Sequence, residues 1–335
     1  MNYSIEIVKT AADLPEEWDR ISKDYFQTKE FLLHTEKYNS CEQRYYLLFQ
    51  NSLLKAGAVI YSLRLDLFTY IKVKSPFTMH ITGVPCSVSS SGIIGDEKLF
   101  STLFEELKNQ EKGMLLMLNL DNKMPGAEFL SGRTLPTMLF SNTFSSYANY
   151  LSSIRTHYRR RLLQISNAFT GVEKREMPCK DFTGEMHTQY LEVLKRSKGK
   201  LETLSLEFFQ QLPPKFMLIA YSFNKRLLGW KITLAFGEKY YFFLGGIDYR
   251  ANLNFNTYFN LLLYILEEGI ENKAAVIDFG QTAEVPKMRL GCTVDEKTML
   301  AHHSNPLFMK LLRAGKKVLE YSTVVEETHV FKTIR

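Results

Sequence analysis

The residues best suited to chemistry lie close together in the second half of the chain. Asp278 precedes a glycine turn with Gln281, and Lys287 and Arg289 follow a few residues later. A carboxylate at a strand end, followed by two cations that share one face if their segment is extended, can hold an anionic or polar ligand. A structural ion pair between Asp278 and either cation explains the same pattern, so both interpretations stay open.

Two strand-to-helix turns could cradle a phosphate, because the backbone N–H groups of a helix N-terminus attract anions. The first runs from Ser87 to Gly95 and precedes Asp96 and Glu97, which would repel an anion there. The second contains, in chain order, Gly246, Asp248, Tyr249, Arg250 and Asn252. Neither has the spacing of a P-loop or a dinucleotide-binding loop. An ordinary strand-to-helix turn also explains each of them.

Positive charge is concentrated just after the middle of the chain. The formal net charge is +6, and residues 151–200 alone carry 11 basic and 5 acidic side chains. Arg155, Arg159, Arg160 and Arg161 lie on a predicted helix, where they spread around it and form no single face. Local pairing on a solvated helix and contact with a phosphorylated substrate or RNA are both consistent with this arrangement.

Several functional classes lack their sequence signatures. There is no HExxH or GxSxG motif, and the four cysteines are too far apart for a CxxC pair. Two uncharged runs, residues 75–95 and 134–154, contain proline and many polar residues, so neither is apolar enough to span a bilayer. The first residues lack the pattern of a secretory signal. We therefore expect a cytoplasmic protein with reduced thiols, no metal, no DNA partner and no inserted membrane segment.

The pattern of strands and helices occurs twice along the 335 residues. Each half shows helices after an early segment, three strands, a helix and further strands. We predict an α/β (α+β) fold of two modules, each a mixed twisted sheet flanked by helices. The predicted boundaries are residues 1–143 and 171–335, with a long connecting helix over residues 144–170. The helix over residues 256–271 is apolar on most sides, which predicts burial.

The second half resembles a known superfamily in its motifs as well as its order of elements. The motifs are the arginine-bearing helix over residues 147–169, Gly245-Gly246-Ile247-Asp248, Ile277-Asp278-Phe279-Gly280 and Lys287-Met288-Arg289-Leu290-Gly291. Together they resemble the tandem GNAT-like N-acyltransferases grouped with the Fem-type (FemAB-like) peptidoglycan aminoacyltransferases. The resemblance covers residues 144–315 most clearly.

The resemblance implies transfer of an acyl group from acyl-CoA to an amine of an amino sugar, a nucleotide-linked sugar or another cell-envelope precursor. Under it, Asp248, Asp278 and Lys287 are the expected catalytic residues. The expected substrate contacts are Arg289, Gln281, Arg159 and Tyr249, and the expected acyl-CoA contacts are Gly246, Arg250 and Asn252. Residues 250–255 lack the small residues of the family's coenzyme A loop. Two alternatives therefore stay open: a Fem-type transferase that uses aminoacyl-tRNA, and a catalytically inactive ligand-binding protein.

Overall fold

The computed structural model describes residues 3–39, 41–66, 76–86, 88–121, 128–197, 202–316, 320–322 and 328–332. The strands in these ranges are β1 (Tyr3–Val8), β2 (Arg44–Gln50), β3 (Leu53–Asp66), β4 (Pro76–Thr82), β5 (Ile93–Gly95), β6 (Met114–Leu120), β7 (Leu130–Arg133), β8 (Thr137–Ser141), β9 (Glu173–Pro178), β10 (Phe216–Phe223), β11 (Arg226–Phe236), β12 (Lys239–Ile247), β13 (Val276–Asp278), β14 (Thr293–Asp295) and β15 (Thr298–His303). The α-helices are α1 (Glu17–Ile21), α2 (Lys29–Tyr38), α3 (Phe100–Gln110), α4 (Tyr147–Ser153), α5 (Thr156–Asn167), α6 (Gly184–Arg196), α7 (Leu206–Gln210), α8 (Tyr249–Phe255), α9 (Thr257–Glu271), α10 (Glu284–Met288) and α11 (Pro306–Ala314).

The chain forms two compact units, each with one mixed sheet flanked by helices, which confirms the predicted fold class. The first unit contains Met1–Leu135 and Glu296–Ser322, and the second contains Pro136–Asp295 and Thr323–Arg335. This division differs from the predicted boundaries because strand pairing, and not chain order, determines it. Strand β15 pairs with β6 and β7 in the first unit, whereas β8 pairs with β13 and β14 in the second.

In the first unit the strand order is β1-β2-β3-β4-β6-β15-β7, and β5 pairs with β3. The pair β4–β6 is parallel, and the other described pairs are antiparallel. Helix α3 covers one face through Leu103, Phe104 and Leu107, which are spaced for a single apolar stripe. The other core cluster contains Trp18 of α1 and Leu32 of α2. Helices therefore cover both faces of this sheet.

In the second unit the strand order is β14-β8-β13-β12-β11-β10-β9. The pair β12–β13 is parallel and the remaining pairs are antiparallel. Helix α9 packs in the main core of this unit with most of its residues buried, as its apolar composition predicts. The opposite face of β11 holds Trp230, which packs edge-on against Phe182 and Phe209.

The predicted connecting helix over residues 144–170 is two helices, α4 and α5, and both lie in the second unit. Ile154 is extended between them and forms a bridge with Phe331, while the Arg155 N–H donates to the Val330 carbonyl at 2.9 Å. The C-terminal segment therefore forms hydrogen bonds with backbone groups that would bond within the helix if α4 and α5 were continuous. The apolar periodicity across residues 147–169 gave no sign of this partner.

Candidate functional site

Parallel strands β12 and β13 separate at their carboxyl ends, and this divergence is the main feature of the second unit. Their pairing ends at Tyr241↔Asp278, whereas β12 continues to Ile247. Beyond β13 the chain turns to β8, with the Phe279 N–H donating to the Met138 carbonyl at 2.9 Å. A shift in the β11–β12 register makes Phe243 an extra residue in β12 and bends that strand. We call this region the β12–β13 edge, the position at which ligands bind in many α/β sheets.

Lys287 holds the loop that follows β13. Its buried ammonium donates to the carbonyls of Gly280, Gln281 and Thr282 at 3.3, 2.8 and 2.7 Å. The loop needs such support because Gly280, Thr282 and Ala283 have φ angles of 67°, 64° and 48°, and the last two residues have side chains that disfavour positive φ. Burial lowers the pKa of Lys287 to about 8. Its three N–H groups are directed at the loop, so this lysine positions backbone at the β12–β13 edge.

Asp278 lies beneath the same loop and is buried. Its carboxylate accepts a hydrogen bond from the Gly280 N–H at 2.7 Å. The expectation that Lys287 and Arg289 share one face of an extended segment is wrong: Lys287 belongs to helix α10, and Arg289 is the residue that ends it. Two residues separated by two positions in a helix point in nearly opposite directions. Arg289 and Gln281 are both half-buried.

Tyr258 packs near this edge although the sequence analysis did not single it out. Tyr258 lies in the first turn of α9 and packs against both apolar clusters around that helix. Burial raises the pKa of its hydroxyl, and the nearby Tyr249 and Cys292 raise it further. Burial also raises the pKa of the Cys292 thiol. The charge of Lys287 lowers this pKa, and the charge of Asp278 raises it. Tyr258 therefore lies between the core cluster that contains Phe279 and Cys292 and the cluster that contains Ile247.

In the turn after β12, the side chain of Asp248 binds the backbone N–H groups at the start of α8. The Asp248 carboxylate caps α8, accepting hydrogen bonds from the N–H groups of Arg250 and Ala251 at 2.9 and 3.3 Å. The Arg226 guanidinium also donates to it, from Nε at 2.9 Å. Burial alone would raise the pKa of Asp248, but Arg226 and the two backbone donors hold it below its usual value. A negative charge therefore already sits where a phosphate would have to bind.

Gly246, Arg250 and Asn252 are the residues expected to contact acyl-CoA, and two of them have structural roles within the protein. A Cβ on Gly246 would lie 2.4 Å from Trp230 Nε1, so this glycine leaves room for the buried indole. The side chain of Asn252 accepts a hydrogen bond from the Tyr258 N–H at 2.9 Å and so fixes the junction of α8 and α9. Arg250 is exposed. Packing and capping thus account for Gly246 and Asn252 without a ligand.

The remaining predicted contacts lie on neighbouring helices. Tyr249 stacks beneath the Arg196 guanidinium, whose carbon is 3.9 Å from the ring centroid. Arg159 is half-buried on α5, and Arg160 and Arg161 on the same helix are exposed.

The turn predicted as a cradle in the first unit shows the same capping. Asp96 accepts a hydrogen bond from the Lys98 N–H at 3.0 Å, which places a carboxylate at this helix start also. Ser87, the first residue of that predicted cradle, lies outside the described residues. Both predicted cradles are thus capped by an aspartate of this chain.

A polar cluster in the first unit contains the residue types of a catalytic triad but not its geometry. Ser62 Oγ and the Arg44 guanidinium each lie 3.0 Å from the same His80 nitrogen, Nδ1, and Glu111 lies 3.6 Å from it. A triad needs the hydroxyl and the carboxylate on opposite ring nitrogens. Arg44 forms a two-point ion pair with Glu111, which also accepts from the Tyr46 hydroxyl at 2.7 Å. The cluster is a structural ion-pair network.

Within the described ranges, no group of three or more His, Cys, Asp or Glu side chains converges as a metal ligand set. The four cysteines are buried and are not in disulfides. None of the described helices has the length and apolar character needed to cross a membrane.

The fold has known counterparts although the sequence does not. No protein-family model and no curated protein matches the chain. The structure of FemX aligns with a TM-score of 0.54 at 10% identity, covering 83% of this chain and 92% of FemX. The structure of L-PGS from Bacillus licheniformis aligns with a TM-score of 0.52 at 12% identity, covering 93% and 98%. A tandem GNAT protein from the clavulanic acid biosynthesis pathway aligns with a TM-score of 0.50 at 7% identity, covering 90% and 99%. The chain therefore has a GNAT-like, Fem-type fold of two modules.

Proposed function

We propose that the protein transfers an acyl or aminoacyl group to an amine, and that the reaction takes place at the β12–β13 edge of the second unit. The observation that carries this proposal is the separation of β12 from β13 beyond Tyr241↔Asp278. Ligands of α/β sheets bind in the crevice outside the carboxyl ends of the strands, which is where these two parallel strands separate. The GNAT-like fold supports the reaction class, and a cell-envelope precursor with a free amine is the proposed acceptor.

In the proposed reaction, the acceptor nitrogen attacks the acyl carbon, so a C–N bond forms while the ester or thioester bond breaks. Backbone N–H groups of β12 beyond Tyr241 stabilise the charge that develops on the carbonyl oxygen. Tyr258, whose phenol is protonated at neutral pH, gives its proton to the leaving oxygen or sulfur. Asp278 receives the proton of the amine, directly or through water. Lys287 is assigned a positioning role beneath the loop.

The two aspartate caps bear on the identity of the donor. Asp248 and Asp96 occupy backbone N–H groups at both predicted cradles, so the diphosphate of acyl-CoA does not fit at either turn. The exposed Arg160 and Arg161 of α5 can instead contact a nucleic-acid backbone. We therefore favour an aminoacyl ester of tRNA over acyl-CoA as the donor. The assignment of the protein to the cytoplasm stays a prediction.

The test is to incubate the protein with amine-bearing envelope precursors and either aminoacylated tRNA or a panel of acyl-CoA thioesters, and to search for the amide product by mass spectrometry. We expect product with charged tRNA. Product formed only from acyl-CoA would overturn the donor assignment and keep the reaction class. Saturable ligand binding without amide product from either donor would favour the inactive binding protein and contradict the proposal.

Direct tRNA binding gives a second readout. The variant Arg160→Gln/Arg161→Gln removes two charges from α5, so the slope of log affinity against log salt concentration should fall by about two. Lys180→Gln, which removes an exposed charge outside α5, is the matched control. An unchanged slope in the double variant would exclude α5 as the tRNA contact.

A further inference from the structure

A short C-terminal segment packs on the second unit beside helix α10. It comprises residues 328–332, which we call the strap, and its Val330 is buried in the main core cluster of that unit. The backbone of the strap is bound at the break between α4 and α5. There the Arg155 N–H donates to the Val330 carbonyl and the Lys332 N–H donates to the Ser153 carbonyl, both at 2.9 Å. The strap is therefore fixed by backbone hydrogen bonds as well as by apolar packing.

The strap also contacts the residues that follow Lys287. The Thr328 hydroxyl donates to the Met288 carbonyl at 3.3 Å. The Phe331 ring lies against Gly291, where a Cβ would be only 2.5 Å from that ring. The Gly291 N–H closes the end of α10 by donating to the same Met288 carbonyl at 2.9 Å. The strap thus packs on the C-terminal end of the helix that carries Lys287.

The Phe331 ring has two further aromatic neighbours. It stacks on Phe144 with 5.8 Å between ring centroids and lies edge-on to Tyr150 at 6.3 Å. Tyr150 in turn donates its hydroxyl hydrogen bond to the Leu290 carbonyl at 3.0 Å. The chain just after α10 is therefore fixed by the strap and by α4 together.

We propose that the strap positions the loop after β13, with Phe331 as its principal residue. Phe331 contacts Gly291, the chain leads from Gly291 back to Lys287 in α10, and Lys287 binds the three loop carbonyls. Helix α10 has only five residues, and a helix this short is not stable on its own, so packing at its end determines its position. Phe331 is thus a positioning residue for transfer at the β12–β13 edge. That role rests on the proposed function, whereas the coupling of strap and loop does not.

The test is amide hydrogen exchange of the full chain, measured by mass spectrometry. In Phe331→Ala we expect residues 279–283 to exchange at least about tenfold faster than in the unmodified protein, because the loop loses its support. Residues 216–223 of β10, in the same unit, should exchange at an unchanged rate and so show that the fold is intact. Two matched variants should leave residues 279–283 unchanged: Phe331→Tyr, which keeps the ring, and Lys332→Gln, which removes only a strap hydrogen bond to Ser152 of α4.

A double-variant cycle tests the contact between Phe331 and Gly291. Gly291→Ala should speed exchange of residues 279–283 in the unmodified protein, because the new Cβ would meet the Phe331 ring. It should speed exchange less in the Phe331→Ala background, where that ring is absent. The strain of alanine at a φ of 96° is present in both backgrounds and does not contribute to the difference.

The transfer rate is a separate readout. Phe331→Ala should lower kcat about tenfold with little change in KM, and Phe331→Tyr should retain kcat. Unchanged exchange of residues 279–283 in Phe331→Ala would overturn the proposal, as would equal acceleration in β10, which indicates general loosening. Faster exchange with an unchanged kcat would overturn the positioning role of Phe331. If the unmodified protein forms no amide product, the proposed function fails while the exchange result still tests the coupling.

Discussion

The role assigned to Lys287 leads to a quantitative prediction about stability. Lys287→Met removes the donor shared by three loop carbonyls while keeping most of the side-chain volume. Hydrogen bonds to a charged group contribute about 1.5–3 kcal/mol each. We use the lower figure because Thr282 is exposed, which gives about 4.5 kcal/mol for the three bonds. A fall in the pKa of the lysine from 10.5 to about 8 corresponds to a burial cost of about 3 kcal/mol. We therefore expect Lys287→Met to lower the free energy of unfolding by roughly 1.5 kcal/mol.

Ala283 provides an internal check on this reasoning. Its φ angle of 48° costs a residue with a side chain roughly 1 kcal/mol, a cost that glycine avoids. Ala283→Gly should therefore stabilise the unmodified protein by up to about 1 kcal/mol. It should stabilise Lys287→Met less, because a loop released from the lysine has already relaxed.

The assay is urea unfolding of the single and double variants, followed by the circular dichroism signal, with Lys180→Met as a control for an exposed lysine. The control should stay within about 0.5 kcal/mol of the unmodified protein. If Lys287→Met unfolds at the same urea concentration as the control, or if Ala283→Gly is equally effective in both backgrounds, the loop does not depend on Lys287.

Three further predictions concern the interior of the second unit. Lys231 is fully buried with its Nζ 2.6 Å from Glu268, so Lys231→Met should lower the free energy of unfolding by about 3 kcal/mol, because it leaves a buried carboxylate without this partner. The double variant Lys231→Met/Glu268→Gln should recover much of that loss. An unchanged urea midpoint in the single variant would contradict this. Burial alone would raise the pKa of Glu268, but Lys231, Tyr240 and Lys174 hold it below its usual value. Its contribution is therefore fully present well above pH 4.5 and is lost as the pH falls from there through the lower folded-state pKa. Glu268→Gln should accordingly lose less stability than the unmodified protein between about pH 5 and pH 3. Gly246→Ala should lower the thermal midpoint, because the new Cβ would lie 2.4 Å from the Trp230 indole nitrogen; an unchanged midpoint would refute the packing argument.

The local elements were largely predictable because their patterns depend on residues close in sequence. The buried helix predicted over residues 256–271 agrees with α9 (Thr257–Glu271). Alternation and apolar periodicity contain this information directly. The boundary between the units was not predictable in this way, since it depends on β15 and β8 pairing with strands distant in the chain. The break between α4 and α5 has the same origin, because its partner is Phe331.

The sequence allowed candidate residues to be selected by type, but it did not reveal their contacts. Asp278 and Lys287 were selected for their residue types, and they do lie together beneath the loop after β13. The burial that makes Lys287 a structural brace cannot be read from one sequence. Tyr258 was overlooked because a tyrosine in a strongly apolar helix is normally a core residue. The capping role of Asp248 was more accessible, since aspartate before a helix is a common N-cap.

The central claim is that transfer takes place at the β12–β13 edge with Tyr258 as the proton donor. The most direct measurement is the rate of amide formation by Tyr258→Phe compared with Tyr264→Phe, the same substitution on the same helix. We predict that Tyr258→Phe lowers kcat about 100-fold or more while KM changes little, as expected for loss of a general acid. Tyr264→Phe should keep kcat near that of the unmodified protein. Equal rates for the two variants would contradict this assignment.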